Sequence, residues 1–381
     1  MALHLDGISQ PQLTLGRKLW RINWSLIVLL TLTASIGFAM LYSAAGANLD
    51  PWASKQIMRF GFGVSALIAI ALIDIRIWMR LAYPIYGVAL ILLVLVDVAG
   101  IIGMGAQRWI VLGPIQLQPS EIMKIALVLA LARYFHGLGT ENIGQPIFLI
   151  VPLIMVLVPI YLVVIQPDLG TAILILLGSG AIFFVAGVRI WKFAVVTVIG
   201  IGAIPLGWQF LREYQKNRVL TFLNPERDPL GAGYHILQSK IALGSGGIFG
   251  KGFLQGTQSH LSFLPERQTD FIFTMLAEEF GLAGGLGLLG LYCLLLVYGY
   301  AIALGSRSQF GRLLGMGITS TFFLYVFINV AMVMGLIPVV GVPLPLISYG
   351  GTAMLSILFG FGLLMCVHVH RDVRIGRRGG G

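Results

Sequence analysis

Ten stretches of mostly apolar residues recur along this chain, each near the length a helix needs to cross a bilayer, and they constrain its fold more than any other feature. A span takes about 20 such residues. The stretches read as 23–43, 57–74, 81–104, 121–136, 147–165, 170–187, 190–208, 271–304, 311–335 and 348–368. With 57% hydrophobic and 10% charged residues, against about 25% charged in soluble domains, the chain cannot cover these segments in water. The expectation is an all-α polytopic membrane protein of about ten transmembrane helices. It divides into a leading segment 1–22, spans one to seven within 23–208, a large connection 209–270, spans eight to ten within 271–368, and a basic tail 369–381. The stretch 271–304 exceeds one span, so part of it is expected to be re-entrant or to protrude.

Positive charge orients the spans. Arg17, Lys18, Arg21, Arg76, Arg80, Arg133, Arg189, Lys192, Arg307, Arg312, Arg371, Arg374, Arg377 and Arg378 all fall on one side. The short loops and span ends opposite carry Lys55, Arg59, Arg108 and Lys124. The excess of Lys and Arg marks the cytoplasmic side, which places both termini there and makes 209–270 a large extracytoplasmic loop between spans 7 and 8. The net charge of +10 then speaks of topology and anionic lipid rather than nucleic acid, for which no motif is present. Cys293 and Cys366 lie in apolar runs with no disulfide or zinc spacing. Residues 1–18 are mixed in character and do not read as a cleavable signal peptide. A connection as long as 209–270 should be functional or partly folded.

The chemistry-bearing residues cluster on the extracytoplasmic side. Asp270 opens span eight within "LPERQTDFIFTMLAEEFG". A carboxylate at a water–lipid boundary can serve as a general base, or simply cap a helix N-terminus. Arg267 precedes it. Glu278 and Glu279 lie about 12–14 Å further along the helix, where an acid is either functional or paired within the bundle. In "LQPSEIMKIA", Pro119 and Ser120 read as a helix start, and Glu121 and Lys124 share one face. With Arg108 upstream, two cations can converge near one acid, which suits a diphosphate-bearing ligand. Asp168 in "QPDLGT" is either a turn cap or a second cavity carboxylate. In the large loop, Arg218 is a candidate anion contact and Lys240 sits on a short amphipathic helix. "GSGGIFGKG" fails as a phosphate loop, because Ser245 and Gly252 stand where that motif needs Gly and Ser or Thr. It reads instead as a close-packed glycine turn. His235 and His260 show no metal spacing. Asn329 is polar within a span, and the proline-rich break after it leads to Ser348; this pattern must line protein or a water-filled cavity and suits a substrate site as readily as a channel, so both are candidate substrate contacts.

Taken together, "QPSEIMKIA", "QPDLGTA", "KIALGSGGIFGKG", "LPERQTDFIFTMLAEEFG" and "GLIPVVGVPLPLISYGG" resemble, in order, the motifs of the SEDS family of shape, elongation, division and sporulation proteins. The likeness covers nearly the whole chain from Arg17. It is closer to the family's elongation branch than to its division branch. "RQTD" carries glutamine where the family frequently has histidine. The resemblance implies a ten-span glycosyltransferase of the bacterial cytoplasmic membrane, polymerising lipid II into glycan strands on the outer face. It implies a class B penicillin-binding protein as partner, with other elongation-complex membrane proteins around them. Asp270 then matches the family's essential aspartate, and Arg108, Glu121 and Lys124 match polar positions of its central cavity. A divalent cation, Mg or Mn, on the substrate diphosphate is compatible with this, with Asp168 or Glu121 as indirect helpers. Two other readings stay open on the residues. One is a transporter that flips lipid II, whose polar groups should continue to the cytoplasmic side. The other is a scaffold that activates the partner synthase without chemistry of its own.

Overall fold

A computed structural model describes residues 14–103, 106–112, 115–139, 141–210, 213–224, 232–257 and 267–376. In chain order the elements begin with α1 (Leu15–Trp20), α2 (Trp24–Ala44), α3 (Ala53–Leu72) and α4 (Ile75–Ala99). A small antiparallel sheet follows, of β1 (Ile101–Gly103), β2 (Ala106–Leu112) and β3 (Ile115–Leu117) in that order. Next come α5 (Pro119–Gly137), α6 (Ile147–Ile165), α7 (Leu169–Ala186), α8 (Ile190–Phe210), α9 (Glu213–Leu223) and α10 (Ala232–Ser245). The chain closes with α11 (Ile272–Gly305), α12 (Gln309–Val333) and α13 (Gly351–Val369).

Among the described residues, nine helices are long and apolar enough to cross a membrane. The tenth expected span is α5, which Glu121, Lys124 and Arg133 set apart. Its placement explains how these charges are tolerated: α5 packs against α4, α6, α7, α12 and α13, so Glu121 and Lys124 are buried in protein rather than facing lipid. In contrast, α8 has none of its apolar window buried and presents itself outward all round.

Of the boundaries that differ from the hydropathy reading, two have a direct structural cause. The third span ends at Ala99 rather than at 104, because Ile101 and Ile102 belong to a strand that pairs with Gln107 and Trp109 of β2. Hydropathy alone does not separate an apolar strand from a helix end. The last span begins at Gly351 rather than 348, because Ser348 and Tyr349 are bonded elsewhere.

As one straight helix, the 34 residues of α11 would reach about 51 Å, well beyond the roughly 30 Å of a hydrocarbon core. The helix breaks at Gly281 (φ 67°, ψ −164°). A Cβ there would sit 2.3 Å from the Gly250 nitrogen and 2.5 Å from the Ile248 oxygen. The glycine turn after α10 fits into this break: the Lys251 and Gly252 amides donate to the Glu278 and Glu279 carbonyls (3.0 Å each). Leu282 and Ala283 donate back to Gly247 and Ile248 (2.9 and 3.0 Å). The turn's Lys251 and Gly252 amides are thus committed to α11, which agrees with rejecting a phosphate loop. Glu278 pairs with Lys251 (2.8 Å), and Glu279 accepts from the Ser43 hydroxyl, so both acids are tied into the bundle. Much of the large connection is therefore folded: α10 packs on α11 and α12, where Ser239 shares a 2.9 Å hydrogen bond with Thr274 and donates to Val333 O (2.8 Å).

The non-helical segment 334–350 between α12 and α13 enters the bundle and satisfies its buried backbone there, as irregular structure inside a membrane protein must. Tyr292 donates to Pro345 O (2.6 Å), Gln56 to Ser348 O (2.9 Å) and Asn329 to Val342 O (2.7 Å). Two glycines let it approach its neighbours. A Cβ on Gly37 of α2 would lie 2.7 Å from Ile347 Cα, and one on Gly170 of α7 would lie 2.4 Å from Val340 O. At the other end of the bundle the chain's beginning and end meet, with Arg21 paired to Asp372 (3.1 Å) and the Arg307 amide bonded to Arg371 O (2.9 Å).

Candidate functional site

Asp270 is half-buried in the turn that leads into α11. The main chain of residues 268–270 is fastened to α12 and to the end of the broken segment. The Tyr349 amide donates to Gln268 O (2.8 Å), the Ser348 hydroxyl to Thr269 O (2.6 Å), and the Asn329 side-chain amide to Asp270 O (3.0 Å). Ser348 Oγ also accepts from the Leu344 amide (2.7 Å), which locks the corner it projects from. The Asp270 carboxylate comes close to Gly341, where a Cβ would stand 3.6 Å from Oδ2. From behind, the Arg59 guanidinium lies over the Tyr349 ring, 5.1 Å from its centroid.

A second polar cluster is built on α5, α12 and α13. Lys124 Nζ bonds Glu121 Oε1 (2.6 Å) and the Tyr325 hydroxyl oxygen, Tyr325 donates to Glu121 Oε2 (2.6 Å), and Ser356 donates to the same oxygen (3.0 Å). The i,i+3 spacing expected of Glu121 and Lys124 thus produces a real pair, with side chains 4% and 3% exposed. Tyr325 and Asn329 are four residues apart on α12, about 6 Å along its axis and on one face. A single helix therefore joins the Glu121–Lys124 cluster to the Asp270 turn. Glu121, Lys124, Tyr325 and Ser356 line a small, partly open pocket together with Ile125, Phe322 and Phe361.

Asp168 caps α7 and also faces Arg108. Its Oδ1 accepts from the Thr171 amide (3.2 Å) and its Oδ2 from the Thr171 hydroxyl (2.9 Å), closing the N-terminus of α7. Arg108, carried on β2, approaches the same Oδ2 (Nε at 3.9 Å) and donates to the carbonyls of Gln166 (3.2 Å) and Pro167. This corrects the expectation that Arg108 and Lys124 converge on one acid: each cation has its own carboxylate, because the sheet carries Arg108 to the α6–α7 turn. Arg108 keeps 27% of its side chain exposed, far more than Lys124.

The remaining candidates are more peripheral. Lys240 is exposed on α10. Arg267 is half-buried one turn before Asp270, and burial lowers its guanidinium from the ordinary value. Arg218 belongs to α9, but its side chain lies outside the described residues, as do the His235 side chain and all of Glu266 and His260. Tyr325, Ser356 and Tyr349 were missed in the sequence. Only Tyr325 left a signal there, one turn from Asn329 on the same apolar helix. Among the described residues no group of three or more His, Cys, Asp or Glu side chains is placed to hold a metal ion. Glu121 and Asp168 are already engaged by a cation and by hydroxyl or amide donors, so they do not fit as ligands of a resident divalent cation.

Comparison with known proteins agrees with this architecture. The sequence profile of the family described as "Cell cycle protein" (FtsW, RodA, SpoVE) matches residues 23–373. The chain is 46% identical over 354 residues to the peptidoglycan glycosyltransferase MrdB of Escherichia coli (strain K12), covering 91% of this chain and 94% of that one. Its fold is similar to a chain from a solved peptidoglycan synthase complex that coordinates polymerization and crosslinking (TM-score 0.79, 35% identity, 92% of this chain and 98% of that one). It is also similar to the crystal structure of the Thermus thermophilus rod shape determining protein RodA (TM-score 0.70, 32% identity, 92% and 97% coverage).

Proposed function

We infer that this chain, which belongs to the cell cycle protein family of FtsW, RodA and SpoVE, is a peptidoglycan glycosyltransferase of the multi-pass membrane type. Its substrate in this reading is lipid II, and its product a glycan strand made during cell elongation. Both termini lie in the cytoplasm and the Asp270 end of the bundle faces outward, as the distribution of Lys and Arg argues. A class B penicillin-binding protein is the partner, in keeping with the synthase complex that a similar chain belongs to.

The observation that supports the mechanism is a half-buried carboxylate whose backbone is clasped by Asn329, on the same helix that carries Tyr325 of the cation–carboxylate cluster. Glycosyl transfer here joins an acceptor sugar hydroxyl to a donor anomeric carbon, and a polyprenyl diphosphate leaves. Asp270 takes the proton of the acceptor hydroxyl as its oxygen attacks. The new C–O bond forms as the bond to the diphosphate oxygen breaks, and the proton later passes from Asp270 to solvent. One base with direct displacement predicts inversion at the anomeric carbon. The departing diphosphate carries negative charge that needs a fixed positive group. Arg108 is the group with an open edge to meet it, whereas Lys124 is enclosed and serves to hold Glu121.

The candidate site residues Arg108, Glu121, Lys124, Asp168 and Asp270 lie toward the same end of the bundle, which favours this enzyme over a transporter. The purified chain and its partner, with crosslinking blocked, should form glycan polymer from lipid II in proteoliposomes. Movement of lipid II across the bilayer without polymer would overturn the reading.

A further inference from the structure

We propose that Asn329 and Ser348 are positioning residues for Asp270 and do not contact substrate, a proposal that rests on reading Asp270 as the base. Sequence pattern alone made both of them candidates for substrate contact. Their donors point elsewhere. The Asn329 side-chain amide is fully buried and spans two carbonyls, Asp270 O at 3.0 Å and Val342 O at 2.7 Å. The buried Ser348 hydroxyl is used twice, donating to Thr269 O at 2.6 Å and accepting from the Leu344 amide at 2.7 Å. With the Tyr349 amide on Gln268 O, three consecutive carbonyls, those of residues 268, 269 and 270, are held from one side. The turn bearing Asp270 precedes the first residue of α11. The clasp that grips it is built from the end of α12 and the corner before α13. The backbone that bears the carboxylate is therefore held at the junction of the last two spans.

A positioning role predicts a particular kinetic pattern. An interaction needed only for the reacting geometry lowers kcat and leaves KM alone. Asn329→Leu removes two bonds to backbone, and its kcat should fall about 10- to 100-fold, with KM for lipid II within about 2-fold of wild type. Ser348→Thr keeps a hydroxyl and should retain much of the rate that Ser348→Ala loses. Asn329→Asp carries a distinctive signature. Ionised, the new side chain turns an oxygen without a proton toward two carbonyl oxygens and repels them. Protonated, it donates to one of them. The ratio of its kcat to that of wild type should fall as pH rises, while the ratio for Asn329→Leu stays flat.

The experiment uses the full chain with its partner in detergent. It measures kcat and KM across pH, together with amide hydrogen exchange of the peptide covering 267–274. Faster exchange there in Asn329→Leu, with kcat lowered and KM kept, is the expected result. A raised KM with kcat unchanged, or a flat ratio for Asn329→Asp, would return both residues to substrate contact and overturn the proposal. The exchange measurement separates this failure from that of the base assignment: should Asp270→Asn keep full turnover, unchanged protection in Asn329→Leu would still refute the clasp on its own.

Discussion

The Glu121–Lys124 pair should prove far more costly to break than to delete. Both side chains are nearly enclosed, 4% and 3% exposed, with nitrogen and oxygen 2.6 Å apart. Removing one member of a buried pair leaves an uncompensated charge, at a cost of about 3–5 kcal/mol. The two single variants should differ. Without lysine, Glu121 keeps two donors, the hydroxyls of Tyr325 and Ser356. Without glutamate, the ammonium keeps only the Tyr325 oxygen and ring. Lys124→Met should therefore lie near about 3 kcal/mol of destabilisation and Glu121→Leu nearer about 5 kcal/mol. The double variant removes both charges and leaves the Tyr325 hydroxyl stranded, at about 1–2 kcal/mol, while Ser356 keeps its bond to Ala353 O (3.0 Å). The coupling between the sites should exceed about 2 kcal/mol. Unfolding of all four proteins in detergent, followed by tryptophan fluorescence, completes the cycle. Additive single effects, or a double variant worse than both, would refute the claim that the pair is sealed from solvent.

Arg108→Ala should lower kcat about 10- to 100-fold if the guanidinium meets the departing diphosphate, and Arg108→Lys should recover only part, since it keeps the charge but not the fork that reaches two carbonyls; lipid II turnover measures both. Gly250→Ala should destabilise strongly, because φ is +81° and the new Cβ would lie 2.1 Å from Glu279 O, so its melting temperature in detergent should drop by several degrees. His370, just past α13, is buried, and burial holds its imidazole below the usual histidine range. The unfolded chain then binds a proton that the folded chain refuses, so stability is lost as pH falls through about 6.5 toward the lowered folded value. Unfolding of His370→Gln between about pH 7.5 and 5.5 should show a shallower loss than wild type.

The spans were legible because their length in apolar residues is set by the bilayer and needs no tertiary information. The Glu121–Lys124 pair was legible because three residues on a helix already bring two side chains together. Partners distant in sequence were not. Arg108 meets Asp168 only because a three-stranded sheet, invisible to hydropathy, intervenes and delivers it. Ser356 reaches Glu121 from more than two hundred residues away. Asn329 and Ser348 were legible as unusual polar residues near a broken helix. That they grip the backbone before Asp270 depends on how segment 334–350 threads between α2 and α7. The length of α11 showed that it could not be one span, but the site of its break required the glycine turn that fills it.

Asp270→Asn most directly tests the central claim, that this carboxylate is the base for glycosyl transfer. The substitution keeps size and leaves the backbone clasp in place. With equal folding and equal binding to the partner verified, wild type should build glycan polymer from lipid II and the variant should not. Equal polymer from both would contradict the account.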